Sequence, residues 1–308
     1  MRVAVIGVGH LGRHHARILG GLPGVTLAGV VDINRERAER IASEYGSAAF
    51  TDWRELGSLV EAVTVATPTE THLAIAEPLL ESGIHVLVEK PMTRTTADAD
   101  RLLAAASRSG AAFGVGHTER FNPAVEAARA VVSDPRFIEV HRLGTFPERS
   151  LDIDVVFDLM IHDLDLVLDF VGGEVTAIDA VGVSVLTPRI DIANVRLRFS
   201  GGCIVNLTAS RISRDRVRKI RFFQRDSYVS IDYTSQEVEV WRLVPRSGAM
   251  PAIEGGKLDV TPEEPLKREL EDFVAAARER RSPAVSGVQG RAALALAERV
   301  VEAMTLVT

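Results

Sequence analysis

The stretch RVAVIGVGHLG, residues 2–12, runs a short apolar segment straight into three glycines. Four consecutive apolar residues, Val3 to Ile6, suit a strand buried on both faces. Gly7, Gly9 and Gly12 then form G-x-G-x-x-G at its end, with His10 and Leu11 between the last two. Gly7 permits a tight turn, Gly9 lets backbone approach a pyrophosphate, and Gly12 allows close packing of helix on strand. The following helix would point its N-terminus at the anion. An ordinary strand-to-helix turn also fits these glycines, so the surroundings have to decide.

Working outward, residues 25–32 (VTLAGVVD) read as a second strand ending on Asp32, twenty residues beyond Gly12. A carboxylate there is placed to accept hydrogen bonds from an adenosine ribose, with Ile33 and Arg35 on the same rim. It would repel a 2′-phosphate, which favours NAD, although Arg35 and Arg37 keep NADP open. Residues 35–46 read as a helix closed by Gly46, and strands follow at 48–50, 62–67, 84–89 and 111–116. Helical runs at 69–82 and 95–109 separate them. Strands alternating with helices predict a doubly wound parallel sheet, an α/β dinucleotide-binding domain over residues 1–118.

The chain has 308 residues, a net charge of −6 and one cysteine, Cys203. The charge argues against a general nucleic-acid binder, and one cysteine builds neither a disulfide framework nor a cysteine metal site. The N-terminus reads as a strand instead of a signal peptide, and no apolar run suits a membrane span. A cytoplasmic setting is the default expectation.

VLVEKPM, residues 86–92, carries Lys90 to the carboxyl end of a strand, where ligands bind in open α/β sheets. An ammonium there could hydrogen-bond a substrate hydroxyl and favour its alkoxide as hydride leaves. Elsewhere on a chain, "EK" would read as a salt-bridged loop lysine. Pro91 restricts the conformation of Lys90.

Beyond residue 118 the alternation stops. A helix near 123–132 and a strand at 137–144 lead to DIDVVFDLMIHDLDLVLDFVG, residues 152–172. Read as a helix from residue 155, it sets Asp158, His162, Asp165 and Asp169 on one stripe. Such a stripe fits a solvated face, and a histidine among carboxylates also fits a metal site. Later segments alternate in steps of two and predict a largely antiparallel sheet, giving an α+β domain over 119–308. Its free face, with Val, Ile and Phe, is the expected contact for a second subunit. Residues 249–265 read as a mobile loop, and 265–280 and 287–304 as helices.

Gly7-x-Gly9-x-x-Gly12 with His15, TPTETH (67–72) and EKPM (89–92) together resemble the glucose–fructose oxidoreductase, inositol dehydrogenase and MocA family. The resemblance implies NAD(P)-dependent hydride transfer at a carbinol carbon, with Lys90 as the catalytic lysine. It makes Ala66, Thr67, Pro68, His72 and Glu89 neighbours of the cofactor. Asp158 and His162 match the family's Asp-x-x-x-His, the histidine taking the hydroxyl proton and the aspartate orienting it or binding substrate. It also implies dimers or tetramers through the second sheet.

GHTERFNPAV (116–125) and the run from Phe146 to Val167 resemble the subset that oxidises the 3-hydroxyl of UDP-N-acetylglucosamine. On that analogy Glu119, Arg120 and Asn122 approach the sugar, and Arg149 meets a diphosphate. Arg120 and Asn122 equally suit the anchoring of the next helix, with Pro123 in its first turn. A partner aminotransferase that removes the keto sugar would draw the unfavourable oxidation forward. Three alternatives stand beside this reading: a dehydrogenase or reductase of a free sugar or inositol, a non-catalytic NAD(H)-sensing protein, and a metal-dependent hydrolase.

Overall fold

Strands β1 (Arg2–Ile6), β2 (Thr26–Val31), β3 (Ala48–Phe50), β4 (Ala62–Val65), β5 (His85–Glu89) and β6 (Phe113–Gly116) form one sheet in the order 3-2-1-4-5-6. Every pairing in it is parallel. This is the doubly wound arrangement, with its switch point between β1 and β4. β4, β5 and β6 are buried at every position, as a sheet covered on both faces requires. Helices α1 (Gly12–Gly21), α2 (Arg35–Tyr45), α3 (His72–Glu81) and α4 (Thr96–Ser109) connect the strands. Asn34 caps α2 through the Arg37 amide, and Gly46 closes it at φ 67°. A computed structural model describes residues 1–146, 153–246 and 250–307.

The chain divides into two units, and the first recruits helices from far along the sequence. Residues 266–294 join residues 1–118, so the second unit comprises 119–265 and 295–308. Residue 118 is thus a boundary that the chain crosses again in its C-terminal helices. α7 (Pro265–Glu279) sends Leu270, Phe273 and Val274 into the core around β1 and α1. α8 (Gly287–Glu302) begins at Gly287, where a Cβ would lie 2.4 Å from the Phe113 ring.

The second unit is built on a nine-stranded sheet. After α5 (Pro123–Arg129) and β7 (Phe137–Leu143) comes α6 (Ile161–Val171). Then follow β8 (Val175–Val183), β9 (Ile192–Phe199), β10 (Ile204–Ser210), β11 (Val217–Phe223), β12 (Ser227–Asp232), β13 (Glu237–Val244), β14 (Ala252–Lys257) and β15 (Met304–Val307). The order is 14-13-12-11-7-10-9-8-15, antiparallel except where β7 meets β10 and β8 meets β15. Burial alternates along β9, β10 and β7, which puts Ile138, Val140, Val195, Leu197 and Leu207 on the core side.

Three expectations are corrected here. Residues 249–265 are not simply a loop, because β14 forms within them and pairs with β13. The chain after residue 302 leaves the helix to form β15. The outward face of the sheet is mainly polar instead of aliphatic: Glu139 bonds Arg221, Arg196 bonds Asn206, and Asn194 bonds Thr208. Aromatic character persists in a patch where Phe223 lies 5.5 Å from Phe137 and 5.2 Å from Tyr228.

Candidate active site

The glycine turn behaves as its sequence implies. Gly7 has φ +84°, and any Cβ there would press on Thr67 and the Ala66 carbonyl at 2.7–2.8 Å. A Cβ on Gly12 would lie 1.7 Å from the Gly7 carbonyl, so the helix can start this close only without a side chain. A Cβ on Gly9, in contrast, would meet nothing within 4 Å. Gly9 thus borders open space, and no side chain caps the N-terminus of α1. Backbone that a ligand can approach, at the start of a helix, is what a pyrophosphate needs. Leu11 and Ile33 are exposed, Ile33 at 94%, and both lie at the carboxyl end of the strands.

Asp32 is buried, and its carboxylate is held from three sides. The amides of Val8 and Asn34 donate to it at 3.1 and 2.9 Å, and Arg37 reaches both oxygens at 3.2–3.3 Å. Arg37 remains 42% exposed, whereas Arg35 pairs with Glu39 along the helix. The residues therefore fit an adenosine ribose at Asp32, with one arginine close by. A cavity of about 870 Å³ lies at the opposite, amino end of the sheet, bordered by Met1, Glu61, Ile84 and His85, and is not this site.

At the end of β5, Glu89 is buried and bonds His15 of α1 at 3.1 Å and the Lys90 amide at 3.2 Å. Burial pushes its carboxyl up, but the His15 bond and the Lys90 charge outweigh that and hold it below its ordinary value. Lys90 is half-buried at the sheet rim, and the Lys90–Pro91 bond is cis. Ala66, Thr67 and Pro68 follow β4 on the neighbouring rim, consistent with a place beside the glycine turn. His72, by contrast, is 1% exposed and faces inward.

In the second unit Asp158 lies in a π turn, Val156–Met160, closed by the Ile161 amide on the Val156 carbonyl. The wider turn breaks the regular i, i+4 stripe expected from residue 155, and such turns recur at functional sites. His162 opens α6, and both residues are half-buried. The carboxylates of α6 are not a solvated face. Asp163 takes a two-pronged bond from Arg142 at 2.6 and 2.9 Å. Asp165 takes another from Arg120 at 2.6 and 3.1 Å, and Asp169 pairs with Arg120 and Arg129. Burial raises the Asp163 carboxyl and the Arg142 fork opposes that rise. For Arg142 burial works against its charge, but Asp163 and Glu119 raise its pKa on balance.

Those contacts account for several predicted substrate residues. Arg120, its side chain 8% exposed, is engaged by two carboxylates. Asn122 caps α5 by accepting from Ala124 and donates to the Tyr233 carbonyl at 3.1 Å. Both favour the anchoring reading over sugar contact. Glu119 pairs with Arg142 at 3.0 Å, and Arg149 lies outside the described residues. Sequence reasoning passed over Arg142 and Arg211, which are buried in strand-derived positions. Arg211 bonds Asp191 at 2.8 Å and the Ile153 carbonyl. Arg142 breaks the inward series Ile138, Val140, and that break was the available signal. Among the described residues no cluster of three or more metal-ligating side chains occurs. None of their helices is long and apolar enough to cross a membrane.

Residues 1–117 match the family model described as oxidoreductase family, NAD-binding Rossmann fold, and residues 124–226 match the GFO/IDH/MocA C-terminal domain. The chain belongs to the GFO/IDH/MocA family. It is 40% identical over 304 residues to UDP-N-acetylglucosamine 3-dehydrogenase of Acidithiobacillus ferrooxidans, covering 97% of this chain and 96% of that one. The solved structure of that enzyme aligns with a TM-score of 0.92 at 39% identity, covering 99% of this chain and 97% of the other. An inositol 2-dehydrogenase from Rhizobium meliloti is 27% identical, over 99% of this chain and 97% of its own. Levoglucosan dehydrogenase, solved with NADH and levoglucosan, shares the fold at a TM-score of 0.88 and 19% identity, covering 98% and 96% of the two chains. The family's NAD matches the open glycine turn and Asp32.

Proposed function

We propose that the chain oxidises the 3-hydroxyl of UDP-N-acetylglucosamine to the 3-keto sugar. The observation that carries this reading is near-full-length identity of 40% to a dehydrogenase of that name. The position of Lys90 at the end of β5, on the rim that ligands occupy in such sheets, supports it. NAD, when bound, supplies the hydride acceptor. The Lys90 ammonium hydrogen-bonds the hydroxyl oxygen and stabilises the negative charge that builds as the C–H bond breaks. His162 takes the hydroxyl proton on Nε2, a choice supported by the burial of its Nδ1. Asp158, on the π turn before it, orients the ring or the sugar. One hydride and one proton leave the alcohol, so the step balances as a two-electron oxidation.

Glu119 and Arg149 are assigned to the sugar and the diphosphate in the same proposal. So are a cytoplasmic setting, a homodimer or homotetramer through the open sheet face, and an aminotransferase that consumes the ketone. The half-exposed aromatic patch on that face is the feature that favours association.

The test follows absorbance of reduced dinucleotide while the protein meets UDP-N-acetylglucosamine, free N-acetylglucosamine and myo-inositol in turn. Turnover with the nucleotide sugar alone supports the proposal. Turnover with the free sugar or inositol transfers the function to those relatives' chemistry and removes the diphosphate role. No turnover with any of them contradicts it.

A further inference from the structure

Three arginines of the second unit, Arg120, Arg142 and Arg211, are each gripped by a buried carboxylate. Arg218 is not. It stands in β11 directly opposite Arg142 of β7, and paired residues of neighbouring strands point to the same face. That face is the core side of the sheet, because Ile220 and Phe222, next along β11 in steps of two, are buried. Arg218 itself is exposed, so the core side opens where it stands. Among the described residues no carboxylate pairs with its guanidinium. Partial burial and the charge of Arg142 push Arg218 below its ordinary value, and the pull of Glu119 and Asp163 does not make up the difference. Arg216, which donates to Thr145 Oγ1 at 3.3 Å, adds to the repulsion. A cation set among cations, with no acid of its own, is a place for an anion.

We propose that Arg218 binds the diphosphate of a nucleotide sugar, alongside Arg149, and so selects that substrate class over free sugars and cyclitols. The proposal rests on the dehydrogenase reading above and names a further residue in it. Arg142 holds Asp163, the residue after His162, so Arg218 stands one strand beyond the anchor of the proposed base. In a nucleotide sugar the diphosphate hangs from C1 and the reacting hydroxyl from C3 of the same ring. A protein that brings that hydroxyl to His162 therefore has to meet the phosphates within a ring's width of it. The guanidinium fork matches phosphate oxygens in geometry as well as charge. A free sugar or an inositol has no group that needs it.

The test titrates the NADH-loaded protein with UDP and, separately, with uridine, neither of which contains the reacting sugar. Arg218→Gln weakens UDP binding about thirtyfold and leaves uridine within about twofold. Arg218→Lys, which keeps the charge but not the fork, recovers part of the loss. Arg221→Gln is the control: Arg221 lies on the opposite face of β11, bonded to Glu139, and its loss moves neither affinity by more than about twofold. In turnover of UDP-N-acetylglucosamine the damage of Arg218→Gln falls on KM more than on kcat. UDP binding unchanged in Arg218→Gln, equal loss for UDP and uridine, or a wild type that holds UDP no better than uridine overturns the proposal. A wild type that binds UDP through Arg218 yet oxidises no nucleotide sugar removes the reaction and keeps the anion site. One that oxidises UDP-N-acetylglucosamine with KM unmoved by Arg218→Gln keeps the reaction and removes the site.

Discussion

Glu89 precedes Lys90 and Asp163 follows His162, so each candidate chemical group has a buried carboxylate as its chain neighbour. Each carboxylate is held by another element of its own unit: Glu89 by His15 of α1, Asp163 by Arg142 of β7. Lys90 and His162 are thus located through anchored neighbours. The two anchors differ in kind. Arginine stays charged at any pH a protein survives and grips both carboxylate oxygens at once, whereas His15 makes one contact to Glu89. The α6 anchor is therefore the stiffer and costlier to break, and the β5 anchor is the one that responds to pH.

The largest effect expected is on turnover, with the anchors left intact. Lys90→Met lowers kcat by about 10³-fold and His162→Ala by about 10²-fold. Thermal unfolding should barely move, since neither side chain is the anchor. A melting-temperature drop that accounts for the lost activity would reverse the distinction.

Breaking the anchors does the opposite. Arg142→Met strands Asp163 and Glu119 and costs about 3–5 kcal/mol, whereas Glu89→Gln, which keeps one hydrogen-bonding oxygen, costs about 1–2 kcal/mol. The chain's two tryptophans allow the units to be followed separately in urea, Trp53 reporting the first and Trp241 the second. Single-tryptophan versions should show each substitution shifting chiefly its own unit. Equal costs would erase the contrast between the anchors.

Acid sharpens the same contrast. The folded pKa of Glu89 is depressed, so its stabilisation is complete above the ordinary value of 4.5 and fades as pH falls through the lower folded value. Trp53-monitored stability of the wild type should decline below about pH 4.5 more steeply than that of Glu89→Gln. Parallel curves would mean that the folded pKa of Glu89 is not depressed. The smallest effect concerns cofactor choice. Asp32→Ser should raise KM for NAD by about tenfold and narrow the gap to NADP, because Arg37 is then released toward a 2′-phosphate.

The first unit was legible because its parallel strands are continuous apolar runs and its glycines have steric jobs that no other residue can do. The same holds for Lys90, whose meaning comes from its place on a strand. The second unit was legible as a sheet by alternation but not at its margins. β14 contains Gly255 and Gly256, both at φ 155°, which look like loop residues in sequence. β15 continues the apolar character of α8 without a break. The π turn leaves no mark in VFDLM, because an i→i+5 bond changes no side-chain preference. His162 and Asp158 were picked out by family resemblance, since an acid-rich helix looks solvated until Arg120 and Arg142 are seen to cover it. Asn122 and Arg120 were readable two ways, and packing favours the structural one.

The most direct test of the account uses UDP-N-acetylglucosamine deuterated at C3, incubated with NAD and followed by mass spectrometry with hydroxylamine to trap ketone. The account predicts a trapped sugar that has lost its deuterium and one proton, deuterium recovered in the reduced dinucleotide, and neither product with Lys90→Met. Deuterium retained in the sugar while the dinucleotide is reduced would contradict oxidation at that hydroxyl.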